Sequence, residues 1–229
     1  MNRPTAPSSA VATAQRYWST QLGVPESGGI VADDTAESVH AVCVGGRVFV
    51  RLPSAIASRA DHLSAEAWLD SSVISDLPLG LRAHARLAYT DRNEFEVRSD
   101  AAVIPLRHDD PRVRSFAREV SPAEWEEAGL GRGANLTGWH AIQFDGRLAA
   151  IAAYENWDGL LGHVCVATAV DDRGRGHATR AAAASTSRAI SEGLVAQWRS
   201  SVTNPASHAV GARLGFVDAG EQLVYRSTP

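Results

Sequence analysis

Two stretches of the chain alternate apolar and polar residues on either side of a two-residue turn. Val39–Val44 and Arg47–Leu52 flank Gly45-Gly46, and Trp139–Phe144 and Arg147–Tyr154 flank Asp145-Gly146. Both turn pairs accept positive φ, so each stretch predicts a β-hairpin. Further short strands are predicted over "AHARLAYTD", Ala102–Leu106, "LGHVCVAT", "LVAQWRSSVT" and, at the end, Phe216 with "EQLVYR". Between them lie helical patterns. "AVATAQRYWSTQLG" ends at Gly23, a residue suited to a helix C-terminus. "SAEAWLDSSV" predicts a helix with Ser64 as its N-cap. "SPAEWEEAGL" has Ser121 as N-cap, Pro122 in first position and Glu124 three residues after the cap, the spacing of a capping box. That spacing gives Glu124 a structural role. Ala178–Glu192 is an alanine-rich helix closed by Gly193, and "NPASHAVGARLG" is a short one between Asn204 and Gly215. "RHDDPRVRS" reads as a polar turn.

The elements group into an amino-terminal α/β domain over 11–99 and a second domain over 100–229, with a boundary near Ser99. A short leader, residues 1–10 and polar to about Pro7, is expected to be disordered. It has no continuous apolar run, which predicts no signal peptide and a cytoplasmic protein. No apolar run reaches the roughly 18 residues of a membrane span.

Composition narrows the chemistry. The chain has 229 residues, 45% of them hydrophobic and 21% charged. That is enough apolar material for a real core. A net charge of -4 argues against a general nucleic-acid binder. All 22 basic residues are arginine, so no lysine can form a Schiff base or act as a catalytic base. Cys43 and Cys165 stand far apart in apolar strands and read as buried reduced thiols. No Cys/His cluster has zinc spacing, and no metal is expected.

"DDRGRGHATRAAAA", Asp171–Ala184, lies between a predicted strand and a predicted helix. Main-chain N–H groups at a helix start are unpaired, and the helix dipole favours an anion there. Gly174 and Gly176 would let a phosphate approach the backbone closely. A Walker-type loop requires lysine and is excluded. A dinucleotide fingerprint requires a third glycine or alanine where Thr179 stands, and an acidic residue about 20 positions on, which is missing.

Arg173-Gly174-Arg175-Gly176-His177-Ala178 resembles the Q/R-x-x-G-x-G/A signature of the GNAT acetyltransferase superfamily. The order of hairpin, strand, loop, alanine-rich helix, strand, Asn204 and short helix agrees with it. "ARLGF", Ala212–Phe216, is similar to the superfamily's late "(Y)xKLGF" element. The resemblance covers about 102–229, and the earlier part resembles the amino-terminal extension of two-domain bacterial members, or a degenerate copy of the same fold. It implies an α/β (α+β) fold with a mixed, mostly antiparallel central sheet flanked by helices.

The resemblance also implies a function: acetyl transfer from acetyl-CoA to a primary amine, by direct attack in a ternary complex and with no metal. Arg173, Gly174, Arg175, Gly176, His177, Ala178 and Thr179 would hold the pyrophosphate of coenzyme A. The strand before the loop would splay from its neighbour and offer Val166, Ala167 and Thr168 to the pantetheine arm, with an amide near Val166 polarising the thioester carbonyl. Asn204 would contact the cofactor or merely cap its helix. Glu155 and His163 compete as general base, and His163 has the more suitable ordinary pKa. The usual acid, a tyrosine, is replaced by Gly211, so Ser207 is the substitute, or no acid is used. Cys165 lacks an activating partner and is not expected to act as a nucleophile. Trp198 reads as core. Trp157 is the best candidate to line an acceptor site, where Glu155 and Asp158 would favour a cationic amine. The acceptor is a small molecule or a peptide, with no nucleic-acid or membrane partner, and the oligomeric state stays open. A non-catalytic acyl-CoA-binding or regulatory protein of the same fold is the alternative.

Overall fold

The computed structural model describes residues 8–96 and 100–228. Most of the expected leader and the expected boundary at Ser99 lie outside the described residues. The fold is mixed α/β, mostly antiparallel, with ten strands and six α-helices among the described residues. It forms two units. The first takes the chain up to Tyr89 together with Arg199–Pro205 and everything from Asp218 on. The second takes Thr90–Trp198 and Ala206–Val217.

In the first unit, α1 (Ser9–Leu22) ends where Gly23 turns left-handed at φ 65°. The strands are β1 (Gly29–Ala32), β2 (Ser38–Val44), β3 (Arg47–Leu52), β4 (Leu79–Thr90) and β10 (Val217–Ser227), with the one-turn helix α2 (Ser54–Ala57) after β3. Their order is β1-β3-β2-β10-β4. β2 and β3 form the expected hairpin, and Gly45 and Gly46 both take the positive φ that its turn needs. β10 pairs antiparallel with β2, so the end of the chain closes this unit. Val39, Ala41, Val50, Leu52, Trp68, Leu223 and Tyr225 fill its core. The helix expected in "SAEAWLDSSV" is a single 3-10 turn, Glu66–Leu69, without a side-chain cap. Trp68 is the one buried residue of that turn, and one anchor cannot hold a longer amphipathic helix.

The second unit contains β5 (Val103–Pro105), α3 (Pro111–Phe116), α4 (Pro122–Glu127), β6 (Leu136–Phe144), β7 (Arg147–Trp157), β8 (Leu161–Thr168), α5 (His177–Ser191) and most of β9 (Val195–Ser201) and α6 (Pro205–Arg213). Its strand order is β9-β8-β7-β6-β5. α3 replaces the expected polar turn. Asp110 caps it by accepting from the Arg112 amide, Pro111 opens it, and Val113 and Phe116 bury one face. The capping box of α4 is formed as expected. α5 starts one residue before the expected Ala178, because Gly176 is left-handed and His177 is already helical. The core joins Val113, Phe116, Leu130, Leu136, Trp139, Ile151, Ala153 and Cys165. Cys165 is buried as expected, whereas Cys43 is only half-buried; both are free thiols.

Candidate functional site

β8 leads through a 3-10 turn, Val170–Asp172, into Arg173-Gly174-Arg175-Gly176. Gly174 and Gly176 have φ of 76° and 78°, a region that L side chains adopt at a cost. Gly176 caps α5 and offers no side chain to the first-turn amides, which include those of Ala178 and Thr179. Those amides have no intrahelical acceptor, and the dipole of a fifteen-residue helix stands behind them. A Cβ at either glycine would meet no protein atom within 4 Å. Glycine is therefore required here by backbone angle, and the space beside it is open.

The loop's arginines are tied to carboxylates. Arg173 pairs with Glu124 at 2.7 Å. Glu124 accepts from the Ser121 amide and hydroxyl, and these bonds, followed by Arg173, hold its carboxyl below the ordinary glutamate value. Arg175 pairs with the fully buried Asp172 at 3.4 Å, and Arg147 does so from β7 at 2.6 Å. A carboxylate so buried is tolerated when opposite charge surrounds it, so Asp172 anchors the loop to the sheet. Arg175 also lies 5.4 Å from the Phe144 ring centroid. The His177 ring lies 5.5 Å from the same ring. His177 is buried, and neither of its ring nitrogens has a hydrogen-bond partner among the described residues.

The edge of β8 is open. Its ladder with β7 runs from Trp157↔Leu161 to Ala150↔Thr168. Its parallel ladder with β9 stops at His163↔Gln197. From Val164 to Thr168, β8 therefore has no strand partner on the β9 side among the described residues. Val166, Ala167 and Thr168 are partly exposed. Unpaired backbone of this kind can accept an extended ligand as an added strand would be accepted.

Glu155 and His163 stand directly opposite one another across β7 and β8. Glu155 lies inside β7, not after it as expected, because that strand runs on to Trp157. Trp157 is the last residue of that strand. Its Nε1 donates to Glu155 Oε2 at 2.8 Å. Its ring stacks on His163 at 4.8 Å between centroids. Arg132 donates from Nη1 to the same Glu155 oxygen. Sequence reasoning missed Arg132. The glycine-rich "GLGRGAN" around it was the available signal.

Ser207, on α6, accepts from Trp198 Nε1 at 3.2 Å. Trp198 is buried, as expected, and stacks on Phe216. Asn204 immediately precedes α6 and belongs to the first unit; its amide donates to the Ser201 carbonyl at 2.9 Å. Cys165 donates its thiol to the His163 carbonyl at 3.7 Å and packs in the core. No group of metal-ligating side chains occurs among the described residues. No helix among them is long and apolar enough to cross a membrane.

No protein-family model and no curated protein sequence matches the chain. Solved structures do match. A GCN5-related N-acetyltransferase-like protein from Streptococcus suis matches with a TM-score of 0.54 at 16% identity, over 95% of this chain and 98% of that one. A protein described as an acetyltransferase from the GNAT family, from Novosphingobium aromaticivorans, matches with 0.51 at 21% identity, over 67% of this chain and 69% of that one. A GCN5-related N-acetyltransferase from Kribbella flavida matches with 0.51 at 18% identity, over 69% and 63%. The chain thus spans less than two thirds of the Kribbella protein's length. These likenesses establish the fold, which is that of the GNAT N-acetyltransferases.

Proposed function

We propose that this protein is a member of the GNAT superfamily and transfers an acetyl group from acetyl-CoA to a primary amine. One observation carries the reading: β8 loses its β9 partner after His163 and leads straight into a loop with two left-handed glycines at the start of α5. An open strand edge followed by an anion-binding helix start suits a ligand with an extended, amide-bearing arm and a pyrophosphate. Val166, Ala167 and Thr168 would hold the arm. Gly174, Gly176, His177, Ala178 and Thr179 would hold the phosphates through their main chain. Arg173 and Arg175 would add charge from outside. The transferase domain proposed over 100–229, with 11–99 as its amino-terminal companion, overlaps the second unit, although Arg199–Pro205 and the chain from Asp218 on fall in the first.

The donor supplies an acetyl thioester. The acceptor's nitrogen forms a bond to the acetyl carbon as the carbon–sulfur bond breaks, one amine proton goes to a base, and the sulfur takes one up. Positioning the two partners supplies most of the acceleration. His163 is the better base, because Glu155 already accepts from Arg132 and Trp157 through one oxygen. Ser207 is the candidate proton donor to the sulfur. Calorimetric titration with CoA and acetyl-CoA, followed by thiol release over an amine panel, tests the reading. Micromolar CoA binding with turnover is expected, and absence of CoA binding overturns it.

The second reading, an acyl-CoA-binding protein without activity, draws on Gly211. The position that resembles the superfamily's tyrosine has no side chain, and Trp198 fills the space beside it. This reading expects CoA binding with no turnover on any amine.

A further inference from the structure

The Arg132–Glu155 pair bears on which amine is accepted, and the inference rests on the transferase reading above. Arg132 lies in Leu130–Asn135, two short 3-10 pieces that meet at a kink at Gly133. Leu130 is buried, and Gly133 has φ 49° and ψ −102°. Gly129 packs so closely on β8 that a Cβ there would stand 2.8 Å from Cys165 Sγ and 3.9 Å from His163 Nε2. The segment that carries Arg132 therefore begins beside His163, where the β8–β9 ladder stops.

Glu126 turns its carboxylate to the neighbouring Gly131, while Arg132 pairs with Glu155. Glu155 is only 16% exposed in its side chain, against 44% for Arg132. The pair is thus electrically neutral, with the carboxylate inside and the guanidinium outside. Arg132 spends one N–H on Glu155. A guanidinium has five such donors in a planar fork, and the others have no partner among the described residues. A purely cationic amine would meet a carboxylate already neutralised and would have to displace the arginine. An acceptor that carries a carboxylate beside its amine meets both halves of the pair. Its carboxylate takes the open edge of the guanidinium, and its ammonium lies toward Glu155 Oε1 and His163.

We propose that Arg132 is the specificity-determining residue of the acceptor site, and that the acceptor is a zwitterion of the amino-acid class. The test compares the common L-amino acids with their α-amides as acceptors, in the wild type and in Arg132→Gln and Arg132→Lys. The wild type is expected to favour at least one acid over its amide by about tenfold or more in kcat/KM. Arg132→Gln is expected to erase that ratio by raising KM for the acid, while the amide, which now meets a Glu155 freed of its arginine, is used as well as before or better. Arg132→Lys keeps the charge without the fork and is expected to fall between them. Calorimetry of the N-acetylated acid and its amide on the CoA complex reads the same preference without turnover, and circular dichroism confirms that each variant is folded. Equal use of acids and amides by the wild type overturns the proposal. So does an equal loss on both in Arg132→Gln. If CoA does not bind at all, the transferase reading fails; if transfer or binding occurs without preference for the acid, only the role of Arg132 fails.

Discussion

Trp198 occupies the space that a side chain at residue 211 would need: a Cβ on Gly211 would lie 3.0 Å from both Cγ and Cδ1 of the indole. The same indole donates from Nε1 to Ser207, one helical turn before Gly211. Gly211 on α6 thus packs directly against an indole from β9.

Gly211→Tyr is expected to destabilise the protein by about 1–3 kcal/mol, the usual cost of overfilling a packed site. Adding Trp198→Ala should recover at least half of that loss, since the large residue then has room. Urea unfolding of the two single variants and the double variant measures the coupling. Simple additivity would show that the two residues do not share a space.

Gly174→Ala and Gly176→Ala separate backbone strain from ligand contact. Each puts an alanine at φ near 77°, at a cost of about 1–2 kcal/mol in stability. Nothing in the protein lies within 4 Å of the added methyl, so crowding within the fold adds no further cost. CoA affinity is expected to fall by about tenfold or more in a protein that stays folded at the assay temperature. Titration calorimetry beside a melting curve distinguishes the two effects. Unchanged affinity would remove the phosphates from this loop.

Much of the fold was legible because its signals are local. Gly45-Gly46 and Asp145-Gly146 announce their hairpins, and Ser121 and Glu124 announce α4 within four residues. α3 was hidden for a different reason. It is six residues long and buries only Val113 and Phe116, too few for a periodic pattern, although Asp110-Pro111 carries a start signal. The loop's glycines were visible, but the distant partners of Arg173 and of Glu155 were not. Glu124 lies 49 residues before Arg173, and Arg132 lies 23 before Glu155. Pairings over such distances depend on tertiary placement, which no spacing encodes. Gly211 was visible as a departure, while its packing against Trp198 could be seen only in three dimensions.

Asp100 and Arg180 give the second unit an acid-sensitive tie. Arg180 on α5 donates to both carboxylate oxygens, and the Ala102 amide donates to one of them. The Arg180 hydrogen bonds lead in lowering the Asp100 carboxyl from the ordinary 3.8 to about 2, with the Ala102 amide second and burial opposing them. A carboxyl depressed on folding contributes stability above its unfolded pKa and loses it as pH falls through the folded one. Asp100→Asn is therefore expected to be less stable than wild type at pH 7. The difference should shrink between about pH 4 and pH 2. A difference that stays constant over that range, in unfolding curves at matched salt, would mean that the pair does not titrate with folding.

His177 provides the sharpest test of how the loop is satisfied. Its ring is buried against Phe144, with both nitrogens unpartnered among the described residues. A buried polar group without a hydrogen bond costs about 1–3 kcal/mol. Leucine has a similar bulk and no polar atom. His177→Leu is therefore expected to raise the unfolding free energy by about 1–2 kcal/mol, read from urea denaturation without ligand. The main chain of the loop is untouched, so CoA affinity should change by less than about threefold. Loss of stability instead would show that the imidazole is satisfied in solution by ordered water. Loss of CoA affinity at unchanged stability would mean that the ring itself reaches the bound phosphates.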